Sequence, residues 1–333
     1  MRKGLSVALT VAVFMVTPGC LAKGYEAHPL TLALVERLVE EHDFDRQHLL
    51  ALFGEVEKKQ SIIDAMNRPA EKVKPWYEYR QIFLQEKRID AGVEFWRQNA
   101  DTLEKAQQRY GVDPAIIVAI IGVETYYGRI RGSYRVMDAL STLAFDYPKR
   151  SPFFTRELEN FLILTREQEK DPLSLKGSYA GAMGYGQFMP SSYRNYAIDF
   201  DGDGVTDIWD NTEDAIGSVA NYFVAHGWRP GEPVVTPAIV QGHYGGDDAN
   251  ALKGPEKTVA ELAALGLRAR EGADADAGAR AMPLRYEGED GDEYWLGFEN
   301  FYVITRYNHS HRYAMAVYQL SEMIRQRMGR ENS

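Results

Sequence analysis

The run Ala115-Ile116-Ile117-Val118-Ala119-Ile120-Ile121-Gly122-Val123-Glu124 constrains this chain more than any other segment. Asp113-Pro114 before it reads as a helix start, with a carboxylate N-cap and proline at the first helical position, and Gly128 is placed to end the helix. Ile116, Ile120 and Glu124 fall at i, i+4 and i+8, with Ile117 and Ile121 beside them, so a carboxylate continues an apolar stripe. Desolvation disfavours the charged form of a carboxyl and raises its pKa, which a general acid working near neutral pH needs. The competing reading is a buried Glu paired with Arg129 or Arg131, or one that emerges at the helix end. Periodicity alone leaves both open.

With 333 residues, 45% hydrophobic and 26% charged, the composition is globular and the length exceeds one ordinary core, so one large domain with satellites or two to three small ones is expected. The formal charge of −10 argues against a nucleic-acid partner, which demands clustered Lys and Arg. Met1-Arg2-Lys3, the apolar run Leu5 to Val16 and Thr17-Pro18-Gly19-Cys20 make a secretion signal over residues 1–20. The run is shorter than the roughly 20 residues that span a bilayer. Cys20 is the only cysteine, which excludes an intramolecular disulfide. Its position resembles the lipobox of bacterial lipoproteins, with Thr17 where Leu is usual. Acylation of Cys20 is the expected fate, with the protein held on the outer membrane and facing the periplasm; the alternative is an ordinary small-residue cleavage site at Cys20-Leu21-Ala22 and a soluble periplasmic protein.

Helical periodicity runs through Leu32 to Val39 and Leu49 to Val56, and Pro69 and Pro75 interrupt it. Trp76, Tyr77, Tyr79 and Phe83 then precede a helix expected over Ile89 to Tyr110. Ser151-Pro152 starts another helix, and Asp210-Asn211-Thr212-Glu213 resembles a capping box before a helix closed by Gly227. Beyond Pro230 short β-rich runs are expected at Pro233 to Val240, Met282 to Tyr286 and Tyr294 to Tyr307. Thr258-Val259-Ala260-Glu261 is a capping box, and residues 270–280 read as a mobile stretch.

Two motifs carry further chemistry. Gly177 to Pro190 is a glycine-rich run interleaved with aromatics, Ser178 and Gln187. It matches neither phosphate-loop pattern, and aromatic stacking with Ser and Gln hydrogen bonds fits a sugar better. Asp199-Phe200-Asp201-Gly202-Asp203-Gly204-Val205 opens like a calcium loop, with Asp199, Asp201, Asp203 and the Val205 carbonyl as ligands and Asp210 at the twelfth position. The bland alternative is a series of solvated Asx turns. His309 and His311 match no zinc spacing.

Ile121-Gly122-Val123-Glu124-Thr125, Gly181 to Pro190 and Arg306-Tyr307-Asn308-His309-Ser310 resemble the membrane-bound lytic murein transglycosylase B family, from about Tyr79 to the C-terminus. The resemblance implies a lysozyme-like catalytic core that cleaves the β-1,4 bond between N-acetylmuramic acid and N-acetylglucosamine without water, leaving a 1,6-anhydro end. It makes Glu124 the sole catalytic acid and base, and Tyr79, Ser178, Gln187, Tyr222, Tyr307, Asn308 and Tyr313 saccharide contacts. It also aligns the last calcium carboxylate with Asp214 rather than Asp210. Two other functions remain open: a silent peptidoglycan-binding lipoprotein and a hydrolase that admits water.

The expected architecture is α+β, mainly α. It comprises a helical N-terminal domain over 21–75 packed with a C-terminal helix 312–333, a lysozyme-like core over 76–229 with an EF-hand-like calcium loop at 199–214, a small β-rich subdomain over 230–300, and a return to the core over 301–333. Peptidoglycan glycan strands are the expected partner of a monomer, together with other enzymes of cell-wall synthesis or hydrolysis.

Overall fold

The computed structural model describes residues 24–67, 74–246, 248–273 and 275–331, so Cys20 and the apolar leader lie outside the described residues. The chain divides into two compact units between Glu57 and Lys58, earlier than the boundary expected near residue 75. The first unit holds α1 (Pro29–His42) and α2 (Arg46–Gly54), whose apolar faces bury Leu34, Val35, Leu38, Leu49 and Phe53. Asp45 caps α2 by accepting from the His48 amide at 2.6 Å.

In the second unit the helices run in order as α3 (Gln60–Asn67), α4 (Trp76–Tyr79), α5 (Glu86–Gln98), α6 (Ala100–Tyr110), α7 (Pro114–Thr125), α8 (Val136–Asp146), α9 (Ser151–Glu167), α10 (Pro190–Tyr196), α11 (Thr212–Ala225), α12 (Val259–Ala264), α13 (Glu299–Tyr307) and α14 (His311–Glu331). Helix α3, expected in the N-terminal domain, packs on α8 of this unit. The single helix expected over Ile89 to Tyr110 is two, broken at Asn99, whose side chain turns back to the Phe95 carbonyl at 2.8 Å. A short Ser, Asp or Asn side chain bonding the backbone competes with helix continuation in this way.

Every residue of α7 from Pro114 to Gly122 is buried. A helix apolar on all sides has no solvent face to offer, so it becomes the axis around which other helices assemble. Helices α14, α5, α6 and α11 surround it, which also places the C-terminal helix in the second unit. Gly92 on α5 and Gly122 on α7 leave room for the Tyr127 side chain: a β-carbon at Gly122 would lie 2.6 Å from the Tyr127 hydroxyl oxygen and 2.7 Å from its ring.

The β-structure comprises a two-stranded pair, β1 (Tyr134–Arg135) with β2 (Lys176–Gly177), and a five-stranded antiparallel sheet. The sheet contains β3 (Val235–Val240), β4 (Lys257–Thr258), β5 (Leu267–Ala269), β6 (Arg280–Gly288) and β7 (Gly291–Gly297) in the order β4-β6-β7-β3-β5. The expected strand over Tyr294 to Tyr307 is half strand and half helix, because β7 ends at Gly297 and α13 begins at Glu299. Of the stretch 270–280 expected to be mobile, residues 271–272 and 277–278 form turns, and the Val259 and Ala260 amides of α12 donate to the Ala279 and Ala277 carbonyls. The Thr258–Glu261 capping box is present with both of its bonds.

Overpacking at the crowded crossing of α5 and α7 is expected to be destabilising. Gly122→Ala should lower the unfolding free energy by about 1–3 kcal/mol, measured by urea denaturation, and an unchanged midpoint would show that the crossing has slack.

Candidate active site

Helix α7 does not reach Gly128. It stops at Thr125, and Tyr126 (φ 51°) and Tyr127 (φ 60°) take left-handed backbone before Gly128 (φ 82°) completes the turn. Left-handed residues with side chains are uncommon and persist only where surrounding bonds over-determine them. Here the Tyr126 amide donates to the Gly122 carbonyl at 3.1 Å and the Tyr127 amide to the Ile121 carbonyl at 3.3 Å. The Thr125 hydroxyl donates to the Tyr185 carbonyl at 2.9 Å and accepts from the Gly128 amide at 3.0 Å. Arg88 reaches the Gly122 carbonyl and stacks over the Tyr126 ring, 4.8 Å from its centroid. Glu124 is therefore presented by a helix end held from several sides.

The Glu124 carboxyl accepts from the Tyr313 hydroxyl at 2.6 Å, and the protein packs densely around it while part of its surface stays accessible. Burial pushes its pKa up to about 7, against the opposing effect of the Tyr313 hydrogen bond. The ion-pair reading is resolved: Arg129 pairs with Glu94 at 3.6 Å and Arg131 with Asp210 at 3.1 Å. Burial raises the pKa of Tyr307, Tyr313 and Tyr79, and proximity to the Glu124 charge adds to each, so these three rings share its electrostatic surroundings. Tyr79 belongs to α4 and also lies under the Arg312 guanidinium, 5.2 Å from the ring centroid.

Tyr222 of α11 contacts the Tyr307 ring at 4.7 Å between centroids and donates its hydroxyl to the Arg306 carbonyl at 2.6 Å. Tyr307 donates to the Gly186 carbonyl at 2.6 Å, which ties α13 to the glycine-rich run. In that run Gln187 has φ 51° and its amide nitrogen donates to the Gly184 carbonyl at 3.0 Å and the Arg131 carbonyl at 3.3 Å. The Ser178 hydroxyl accepts from the Ala182 amide at 3.0 Å, which makes it a brace of its own turn. Asn308 is exposed at the end of α13. Thr125, Arg88 and Arg312 were not singled out from sequence, since their roles depend on contacts 34 or more residues away.

The acidic loop folds on itself. Asp199 accepts from the Gly202 and Gly204 amides at 2.7 and 2.8 Å, Asp203 from the Val205 amide at 2.8 Å, and Asp201 from Asn211 at 2.8 Å. Gly202 and Gly204 have φ values of 82° and 91°, the left-handed region where glycine carries no steric penalty. One oxygen from each of Asp199, Asp201 and Asp203 lies within 4.8 Å of the other two. Asp214 is fully buried and accepts from the Phe200 and Asp207 amides at 2.7 Å each, whereas Asp210 is turned outward to Arg131.

The transglycosylase SLT domain model matches residues 28–322. The chain is 46% identical over 309 residues to membrane-bound lytic murein transglycosylase B of Escherichia coli, covering 89% of this chain and 83% of that one. Among solved structures, soluble lytic transglycosylase SltB1 from Pseudomonas aeruginosa superposes with a TM-score of 0.85 at 52% identity, covering 90% of this chain and 100% of that one. The Escherichia coli lytic transglycosylase Slt35 in complex with calcium gives a TM-score of 0.83 at 43% identity, covering 94% and 99%. With a predominantly helical core and a small sheet, the chain belongs to the SLT-domain lytic murein transglycosylases.

Proposed function

We propose that this peptidoglycan-cleaving transglycosylase works through Glu124 alone, first as acid and then as base. The observation that carries the assignment is a carboxyl whose pKa burial lifts to about 7, bonded to the Tyr313 hydroxyl at 2.6 Å. Protonated Glu124 donates to the oxygen bridging N-acetylmuramic acid and N-acetylglucosamine as the C1–O bond breaks. The resulting carboxylate then accepts the proton of the muramoyl 6-hydroxyl, whose oxygen closes on C1 to give the 1,6-anhydro ring. Among the described residues, the ionisable side chains shifted by its charge are Tyr79, Tyr307 and Tyr313, and not a second carboxylate of the kind that serves paired-carboxylate glycosidases. Tyr79, Gln187 and Asn308 are read as polar contacts to sugar, while Ser178, Tyr222, Tyr307 and Tyr313 shape the wall behind them.

The acidic loop is read as a structural calcium site. Three carboxylates converge, and hard oxygen donors in a flexible loop suit that ion. Asp199, Asp201 and Asp203 would hold it with the Val205 carbonyl, and Asp214 at the loop base is better placed to complete the set than Asp210. Bound calcium would offset the mutual repulsion of these carboxylates. Cys20 is read as the acylated anchor that holds the enzyme on the outer membrane facing the periplasm, in keeping with the membrane-bound relative. Fatty-acid labelling should mark the wild type and spare Cys20→Ser, and equal labelling of both would refute the anchor.

Digestion of purified peptidoglycan followed by mass spectrometry tests the chemistry. The wild type should release anhydro-muropeptides and Glu124→Gln none; reducing ends would mean a hydrolase, and no products from the folded wild type a binding protein. Because the acid form is required, kcat/KM should fall as pH rises through about 7. Tyr313→Phe removes a bond that favours the carboxylate, so its alkaline limb should move to higher pH; a shift the other way would contradict this role.

Calcium at a hundredfold excess over its Kd should stabilise the protein by about 2.7 kcal/mol in a thermal or urea melt. Asp201→Asn should remove that gain. A wild-type melt indifferent to calcium would leave the loop as a set of Asx turns.

A further inference from the structure

The first turn of α5 lies against the turn that follows Glu124. The Tyr126 hydroxyl donates to the Lys87 carbonyl at 3.1 Å and the Tyr127 hydroxyl to the Arg88 carbonyl at 2.9 Å, so consecutive carbonyls of one helix hold both left-handed residues. Arg88 closes the contact in the other direction, because its guanidinium donates to the carbonyl of Gly122, two residues before Glu124. The guanidinium carbon stands 4.8 Å from the Tyr126 ring centroid and 5.7 Å from that of Phe83, both within cation–π reach. Phe83 contacts Tyr79 at 5.5 Å between ring centroids, which also ties Arg88 to the aromatic cluster of α4.

We propose that Arg88 is a positioning residue for the reaction, fixing the turn after Glu124 so that the carboxyl meets the glycosidic oxygen, a reading that rests on Glu124 being the acid. The backbone shows what has to be resisted. In a continued helix the Tyr127 amide would bond the carbonyl four residues back, at Val123; here it bonds that of Ile121 at 3.3 Å. Tyr126 and Tyr127 carry side chains in left-handed backbone, so without external bonds they relax toward ordinary helix and rotate the last turn of α7. The placement of Arg88 is costly. Burial lowers its pKa, and its Nε is buried without a hydrogen-bond partner among the described residues, a state that polar atoms rarely keep. On the same helix face to solvent, Glu86 and Asp90 meet Arg327, the ordinary ion-pair arrangement. Arg88 is directed instead at the C-terminal carbonyls of α7, where the helix dipole favours a cation and where the bond holds the residue nearest the acid that still lies in regular helix.

Steady-state kinetics and amide hydrogen exchange on the full chain test this together. Arg88→Met keeps an apolar stem and removes the cation. It should lower kcat on peptidoglycan by about ten- to a hundredfold with KM within about twofold of wild type, the pattern of a misplaced reacting group. Exchange at the Tyr126, Tyr127 and Gly128 amides should become faster. Arg88→Lys restores a cation without the flat face that Tyr126 stacks on, and should recover part of kcat. Wild-type kcat in Arg88→Met, a loss confined to KM, or a loss that only tracks the fraction unfolded in a thermal melt would each overturn the inference. Faster exchange at these amides in Arg88→Met, with no glycan product from the wild type, would sustain the positioning of the turn while refuting Glu124 as the acid.

Discussion

The structure depends on burying α7 from Pro114 to Gly122 while leaving the Glu124 carboxyl near its end partly accessible. Apolar burial on every side fixes the helix axis, since no rotation of Ile116 to Ile121 finds water. It fixes nothing beyond the last turn, where Glu124 must leave the stripe. The left-handed pair Tyr126 and Tyr127 solves that problem, and the strain it carries is restrained by Arg88, Thr125 and the hydroxyl of Tyr127, which donates to the Arg88 carbonyl at 2.9 Å. The same aromatic side chain occupies the space left by Gly92 and Gly122, so the helix crossing and the turn after Glu124 are one packing problem.

The acidic loop is connected to this turn through backbone groups. Asp214 holds the Asp207 amide, the next residue's carbonyl at Ile208 accepts from the Tyr185 amide at 3.0 Å, and the Tyr185 carbonyl accepts from Thr125, next to Glu124. Gly184 is part of the same seam, because a β-carbon there would sit 2.4 Å from the Ile208 carbonyl oxygen. Order in residues 199–214 therefore also steadies the backbone beside the turn after Glu124. This is a mechanical link through shared hydrogen bonds, and it requires no change of conformation.

Local chemistry was legible in the sequence wherever one residue decides the outcome. The Asp113-Pro114 start, the Thr258–Glu261 box and the glycines of the acidic loop each act within a few residues, and each is found in place. Boundaries set by distant partners were not legible. Asn99 breaks a helix whose apolar periodicity runs on, and Tyr294 to Tyr307 looks strand-like in composition although tertiary packing makes its second half helical. Gly128 was the natural stop for α7, yet the helix ends three residues earlier because Arg88 and Tyr185, remote in sequence, hold the turn. The Glu124 stripe was readable; the tyrosines around it were nameable only through family resemblance.

Tyrosine around Glu124 is compatible with the raised pKa that burial gives this carboxyl. A lysine or arginine against the carboxyl would favour its charged form and lower that pKa again. Tyrosine hydroxyls donate hydrogen bonds while neutral, and burial raises Tyr307 and Tyr313 well above their ordinary value, so they stay neutral across the working range. The nearby cations are engaged elsewhere: Arg131 with Asp210, Arg129 with Glu94, and Arg312 over Tyr79 toward the sheet. In the acidic loop the opposite rule applies, and carboxylates are crowded together at the surface where a cation would be favoured. One chain thus raises the pKa of a carboxyl by burial in one place, and accumulates negative charge in another, with Tyr185 and Thr125 bonding between the two.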